Sequence, residues 1–393
     1  MDRVFRKVVV TGAKGFIGRH LMEALNRRHA VEVRGFDIDS SPGVLAEALR
    51  ETDIVFHLAG VNRPERVEEY EEGNHLLTKK LCSVLEEAGR TPIIIFSSST
   101  QADMDNPYGK SKLRAEEALR DWSKRTGAGI AIFRLKNVFG KWCRPNYNSV
   151  VATFCHNVAR GFPISISDPA KKIDLVYIDD VISAFLDYLD RKPHGCGYRD
   201  VSPSFIIALG DLTHQIEAFH NSRQTLLVQD FADPFVKRLY ATYISYLEQS
   251  DFAYPLMVHS DSRGELAEFL KQPYFGQLFI SRTKPGIIRG NHFHHTKVEK
   301  FLVVEGEAII RFRKIDESEV VEFRVSGKEF KVLDIPPGYT HSIENIGTGE
   351  LITLFWANEV FSPSSADTFS LDVFDLKNKD KAHESSHDCR HKA

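Results

Sequence analysis

The chain has 393 residues, long for a single hydrophobic core, so two domains are expected. Its formal net charge is −3, and its 51 basic and 54 acidic residues are interspersed without a basic stripe, which excludes nucleic acid as a partner. Five scattered cysteines (Cys82, Cys143, Cys155, Cys196, Cys389) without a Cys-x-x-Cys argue for a reducing compartment. The sequence opens on a strand rather than an apolar leader, and no apolar run reaches the ~18 residues of a membrane span, so a cytoplasmic chain without membrane contact is expected.

The first element is an apolar strand, Lys7 to Val10. A run without alternation suits a central parallel strand covered on both faces. Thr11-Gly12-Ala13-Lys14-Gly15-Phe16-Ile17-Gly18 follows, a turn leading into a helix near Phe16. Its G-x-x-G-x-x-G spacing has one more residue between the first two glycines than G-x-G-x-x-G. Gly12 and Gly15 allow a tight turn against a pyrophosphate, and the helix start aims its amides at that anion. Gly12, Lys14, Gly15, Phe16, Ile17 and Gly18 are the candidate cofactor cradle. A second strand, Ala30 to Asp37, ends at the adenine ribose. Asp37 suits a free 2′-hydroxyl, hence NAD, whereas Arg34 and Lys14 suit a 2′-phosphate, hence NADP. The third strand, Asp53 to Gly60, leaves through Leu58-Ala59-Gly60, and its His57 reads as a packed residue rather than a base.

The strand Pro92 to Phe96 runs into Ser97-Ser98-Ser99 at its carboxyl end, where an open α/β sheet places its ligands. A helix follows. Tyr108 and Lys112 are four residues apart and share one of its faces. An ammonium beside a phenol favours the phenolate and draws its pKa below the usual value of about 10. That matches the phenol to proton transfer near neutral pH. Taken alone, Tyr-x-x-x-Lys is also an ordinary solvated helix face.

With the glycine turn, the serine triplet and Tyr-x-x-x-Lys in this order, the first part of the chain resembles the extended short-chain dehydrogenase/reductase family. The resemblance implies a Rossmann-type doubly wound parallel sheet and a nicotinamide cofactor, with NADPH favoured. It makes Ser99, Tyr108 and Lys112 the catalytic set, Tyr108 and Lys112 also cofactor contacts, and Leu58, Ala59 and Gly60 the wall along which the cofactor passes. Arg-x-x-Asn-x-x-Gly lines the substrate side in such enzymes, so Asn137 is a substrate candidate. The loop Lys141 to Ser149 mixes cations, amides and aromatics. It fits a nucleotide diphosphate, with Arg144 on a phosphate, and equally an ordinary polar loop. One departure stands out: Ser99 and Tyr108 are only nine residues apart, closer than in most relatives, which opens the site to a larger or differently delivered substrate. Asp179 or Asp180 is expected to cap a helix starting near Val181. Residues 195–245 read as helices and loops that close a substrate lobe.

From Tyr254 the pattern becomes period two, with Gly/Pro turns between short strands, as in a β-barrel or jelly roll. Gly286 to Gly306 reads G-x5-H-x-H-x4-E-x6-G, and Pro336 to Asn345 follows P-x-G-x2-H-x3-N. Both resemble the two cupin motifs. His292 and His294 share a strand face, and Glu299 and His341 are expected from neighbouring strands. Three imidazoles and a carboxylate suit a divalent metal, zinc first, with Fe, Ni or Mn as alternatives. His295 points the other way on a regular strand.

The expected units are 1–247 (reductase), 248–376 (cupin) and a disordered tail, 377–393. Asp261-Ser262-Arg263-Gly264-Glu265-Leu266 resembles the start of the 3,5-epimerases of deoxysugar pathways, and the whole fusion resembles the bifunctional enzymes of capsular polysaccharide and O-antigen synthesis. That resemblance implies a UDP-2-acetamido-2,6-dideoxy-4-ketohexose substrate, C3 inversion in the cupin, C4 reduction with NADPH, and a homodimer. A one-step reductase with a merely dimerising cupin is the alternative, and a non-catalytic cofactor sensor is a third.

Overall fold

A computed structural model describes residues 6–364 and 366–374, so the expected tail lies outside the described residues. Contacts divide the chain into two compact units. One runs through His220 and resumes over Phe231–Gln249, and the other comprises Asn221–Asp230 and the chain from Ser250. Asn221–Asp230 joins the second unit because its backbone pairs there. Val228 N donates to Lys271 O at 2.8 Å, and Lys271 N donates to Leu226 O at 2.8 Å.

The first unit contains β1 (Arg6–Thr11), β2 (Val31–Phe36), β3 (Ile54–His57), β4 (Ile93–Ser99), β5 (Ile130–Leu135), β6 (Asn137–Phe139), β7 (Lys172–Tyr177), β8 (Cys196–Arg199) and β9 (Ser204–Ala208). Six of them form a parallel sheet in the order β2-β1-β3-β4-β5-β8. Strand order reverses between β1 and β3, which opens a crevice at their carboxyl ends. Because side chains alternate, Val8 and Val10 pack in one apolar core with Leu21, Phe56 and Phe133. Val9 packs in the other with Phe96, Leu119 and Trp122. Each fully buried aliphatic side chain stabilises this sheet by about 1.5–3 kcal/mol. Strands β6, β7 and β9 make a small separate sheet.

Two local expectations need correction. Residues 195–245 are not only helix and loop, since β8 extends the main sheet and β9 the small one. The helix expected near Val181 begins at Ile178. Tyr177 stands at its N-cap without a side-chain cap, so Asp179 and Asp180 fall in its first turn. There they favour the helix dipole and pair instead with Lys141 and Arg238.

The second unit is all β: β10 (Val258–Asp261), β11 (Gly264–Gln272), β12 (Gly276–Thr283), β13 (Ile288–Phe293), β14 (Glu299–Glu305), β15 (Glu307–Lys314), β16 (Val321–Ser326), β17 (Val332–Ile335), β18 (Tyr339–Asn345), β19 (Leu351–Ala357) and β20 (Phe369–Ser370). Two antiparallel sheets, β10-β11-β12-β19-β14-β17 and β16-β15-β18-β13-β20, enclose a core that includes Phe301, Phe355, Ile310 and Ile343. Among the described residues no helix is long and apolar enough to cross a membrane.

Candidate functional site

At the β1–β3 switch point lies a cleft of about 700 Å³ whose lining includes Gly12, Gly15, Asp37, Leu58, Ala59 and Gly60. Gly12 has φ +71°, and a Cβ there would lie 2.7 Å from Ala59 N. A Cβ at Gly18 would lie 2.0 Å from Gly12 O, so the turn and the helix behind it touch through bare backbone. Phe16 and Ile17 open the Phe16–Asn26 helix and pack on the apolar core. The Asp37 carboxylate accepts the main-chain N–H of Lys14 and of Ile38, at 2.8 and 2.9 Å. The side chain of Lys14 reaches Asp39, and Arg34 pairs with Glu32 at 3.0 Å.

His57 is buried beneath this cleft. Thr78 gives its hydroxyl proton to Asn74 O at 2.7 Å and so accepts from His57 Nε2–H at 3.0 Å. Nδ1 then accepts from the Thr11 hydroxyl at 2.8 Å. Burial pushes His57 down to about 3, which leaves it a neutral packing residue.

The Pro107–Thr126 helix begins with Asn106 accepting from Gly109 N, and Pro107 in its first turn. It carries Tyr108, Lys112 and Glu116 on one face. Ser99 hydrogen-bonds the Tyr108 phenol. Ser98 is committed to the buried Glu116 carboxylate, whereas Ser99 Oγ accepts Gln101 N at 3.2 Å and keeps its own hydroxyl proton to donate. Lys112 Nζ donates to Ser97 O at 2.7 Å, lies 4.5 Å from the Phe96 ring centroid, and is 3.7 Å from where a Gly60 Cβ would stand. The cleft wall and the Pro107–Thr126 helix therefore meet at Lys112.

The expected depression of Tyr108 does not appear. Burial raises the phenol, the Ser99 hydrogen bond lowers it in part, and Lys112 is turned to the Ser97 carbonyl. Burial also lowers Lys112, to about 8, against the pull of Glu116. Glu116 is in turn clasped by Arg134, through Nε at 2.9 Å and Nη2 at 2.7 Å, and by the Tyr198 hydroxyl at 2.8 Å.

Two buried groups behind this site had no motif to announce them. Asn74 lies in a π-helical turn, Glu71–Leu76. It accepts Val61 N–H at 3.0 Å and donates to Val61 O and Ser111 Oγ, both at 2.9 Å. Its only signal is an amide inside a helix, where solvent-facing residues prevail. Glu116 was not singled out from the sequence either; the one clue it offers there is its spacing of four from Lys112, which puts both on one helix face. Of the two residues expected to meet substrate, Asn137 donates to Asp174 O at 3.0 Å, and Arg144 lies over the Tyr147 ring at 5.2 Å. Trp142 sits between them in the chain with φ 65°.

In the second unit His292, His294, Glu299 and His341 converge, each offering an atom within 4.8 Å of the others. Glu299 does not come from a strand beside His341: β14 lies in the opposite sheet, so the cluster bridges both layers. His294 Nδ1 bonds Asp367 O, which leaves the lone pair of a neutral ring on Nε2. Nε2 of His294 and of His341 stand 3.3 and 3.5 Å from Glu299 Oε2, buried and with no hydrogen-bond partner among the described residues. Between these nitrogens and the carboxylate a shared cation is needed, a proton or a metal ion. Burial lowers His292 to about 4, with the neighbouring His341 adding to the shift, which favours the neutral ligand form. Burial works to raise Glu299, but His294, His341 and Lys297 hold it well below the usual carboxylate range. The donor set thus fits a divalent metal of the N/O class. His295 is exposed and meets the rings of Phe293 and Phe369 edge-on.

The chain thus joins a Rossmann-type dinucleotide fold to an all-β unit that carries a clustered N/O donor set. Residues 8–200 match the NAD dependent epimerase/dehydratase family, and residues 259–369 match the polysaccharide biosynthesis C-terminal domain. The chain is 44% identical to a Pseudomonas aeruginosa UDP-2-acetamido-2,6-beta-L-arabino-hexul-4-ose reductase, over 93% of this chain and 99% of that one. It superposes on the capsular polysaccharide assembling protein CapF of Staphylococcus aureus with TM-score 0.87 and 42% identity, covering 93% of this chain and 99% of that chain. A CapF structure with the inhibitor 3-isopropenyl-tropolone gives TM-score 0.83 at 37% identity, with the same coverage. The chain belongs to the CapF-type family of polysaccharide biosynthesis enzymes.

Proposed function

We propose that the chain epimerises C3 of a UDP-2-acetamido-2,6-dideoxy-4-ketohexose in its second unit, a cupin, and reduces C4 in its first. The product is UDP-2-acetamido-2,6-dideoxy-L-talose, on the route to UDP-N-acetyl-L-fucosamine. The observation that carries this is the coexistence of a Ser99–Tyr108 pair beside a dinucleotide cleft with a four-ligand cluster whose imidazole lone pairs face a carboxylate. The name of the Pseudomonas relative supplies the substrate class.

The order of the steps follows from the ketone. A C3 proton is acidic only while C4 is a carbonyl, so epimerisation precedes reduction. His292, His294, Glu299 and His341 would hold the metal, zinc in our reading. A metal held there would supply Lewis acidity for the negative charge that develops when a proton next to a ketone is removed. The tropolone found on a CapF is a bidentate oxygen ligand for metals, which agrees with a metal centre in this family. In the reductive step bound NADPH supplies the hydride. Ser99 hydrogen-bonds the C4 oxygen, Tyr108 delivers its proton to the developing alkoxide, and Lys112 holds the nicotinamide ribose. Asn137 and Arg144 would meet the sugar nucleotide. We favour NADPH because Lys14 and Arg34 are held only by exposed acids and are free to turn to a 2′-phosphate, whereas both Asp37 oxygens already serve backbone N–H groups. A homodimer belongs to the same reading; β10 is an edge strand, exposed throughout, that a second copy could extend.

The test is product analysis with the 4-keto UDP-sugar in D₂O, with and without NADPH. Deuterium at C3 without NADPH, followed by reduction when NADPH is added, is expected. Reduction without exchange supports the alternative, a one-step reductase with a non-catalytic β unit, which the reductase name of the relative favours. Neither reaction would overturn both readings and leave a cofactor sensor.

A further inference from the structure

Metal ligands on loops need a second layer of contacts to hold their orientation. Here the loop from His294 to Glu299 joins two of the four ligands, and its backbone closes on one side chain 70 residues away. The Asp367 carboxylate accepts from His295 N at 3.0 Å, Thr296 N at 2.7 Å, Thr296 Oγ1 at 2.9 Å and Lys297 N at 2.8 Å. Asp367 O meanwhile bonds His294 Nδ1 and so fixes the ring that presents Nε2 to the cluster. The chain that follows is fastened along the same sheet. β20 pairs with β13, placing Ser370 opposite His292. Leu371 N donates to Asn291 O at 2.9 Å, and Leu371 O accepts from the Thr340 hydroxyl, next to His341. Arg313, almost fully buried, donates to Val373 O at 2.7 Å and Asp372 O at 3.0 Å.

We propose that Asp367 is a positioning residue for the metal centre, and that the Asp367–Val373 segment is a strap whose docking sets the affinity for the cation. This rests on the metal reading of the cluster given above. The strap touches three ligands' immediate surroundings while supplying no ligand of its own: the ring of His294, the strand of His292 and the residue before His341. Linkage makes the dependence reciprocal. If docking strengthens metal binding, metal binding must strengthen docking by the same factor.

The experiment titrates the full-length chain with Zn²⁺ against a chromophoric chelator, alongside thermal melts. Asp367→Ala is expected to bind Zn²⁺ about 10–100-fold more weakly than wild type, with Asp367→Asn in between, since an amide oxygen still accepts but carries no charge. A purely structural role would lower the melting temperature and leave the affinity of the folded variant unchanged, and that result overturns the proposal. Absence of Zn²⁺ binding by the wild-type chain overturns the metal reading and this proposal with it. Should Asp367→Ala not fold, amide exchange on the wild type decides. Saturating Zn²⁺ must slow exchange at Thr296, Lys297, Leu371 and Val373 together, and unchanged rates at these amides overturn the proposal.

Discussion

The molecule buries two glutamates near its candidate sites, and they are in opposite situations. Glu116 is wholly enclosed and saturated, with Arg134 across its carboxylate and hydroxyls from Ser98 and Tyr198 completing the shell. Glu299 is nearly as deep, and Lys297 lies 3.2 Å from its Oε1, but Oε2 looks at two imidazole nitrogens without partners among the described residues. Burial of a charge is tolerated only when it is paired. The first carboxylate has its counter-charge built in and acts as a brace, whereas the second leaves one oxygen for a cation from outside.

The comparison can be broken at several points. The largest effect is expected outside both glutamates, at the proposed proton donor, Tyr108. Tyr108→Phe should cut NADPH-dependent C4 reduction about 10²–10⁴-fold while leaving C3 deuterium exchange intact. Equal loss of both reactions would show that the two sites are not chemically separate. Removing the brace comes next. Glu116→Ala removes the buried half of this pair and leaves the half-buried Arg134 with Asp103 and the Tyr198 hydroxyl; urea unfolding should register a loss of about 1–3 kcal/mol, and a Glu116→Leu/Arg134→Met pair should lose less. His341→Ala should abolish co-purifying metal, measured by elemental analysis, yet cost less stability than Glu116→Ala.

A subtler probe uses pH. Lys112 is lowered to about 8 by burial, and Glu116 opposes that shift; the Ser97 carbonyl, the Phe96 ring and the neutral His57 complete its surroundings. If Lys112 must be charged, kcat/KM for reduction declines above about pH 8. Glu116→Gln removes the raising influence, so the alkaline limb must move to lower pH; a limb that stays put assigns it to another group. The smallest effect is expected at Lys14→Ala, a several-fold rise in KM for NADPH with KM for NADH unchanged. The reverse pattern would favour Asp37 and NAD.

How much of this was legible in the sequence depended on the range of each contact. Tyr108 and Lys112 could be placed on one face because helical periodicity converts a spacing of four into an adjacency. Gly12 and Gly18 were readable because backbone contact there tolerates no Cβ. The cluster of His292, His294, Glu299 and His341 was named residue by residue, but strand periodicity fixes a face and not a sheet, so the origin of Glu299 across the sandwich was missed. The clasp of Glu116 by Arg134 needs β5 beside β4, a fact of strand order. Asp367 lies in an unpatterned stretch far from the loop it secures, and nothing local announces it. The helix near Val181 failed at its boundary because two acidic residues favour a first turn as well as a cap.

The histidine under the dinucleotide cleft has a consequence of its own. With Thr11 on one nitrogen and Thr78 on the other, His57 stays uncharged down to about pH 3. His57 therefore adds no charge to the floor on which a nicotinamide cofactor would rest at any pH above about 3. A pH-driven change in cofactor grip starts instead at Lys112, lowered to about 8 and 3.7 Å from where a Gly60 Cβ would stand.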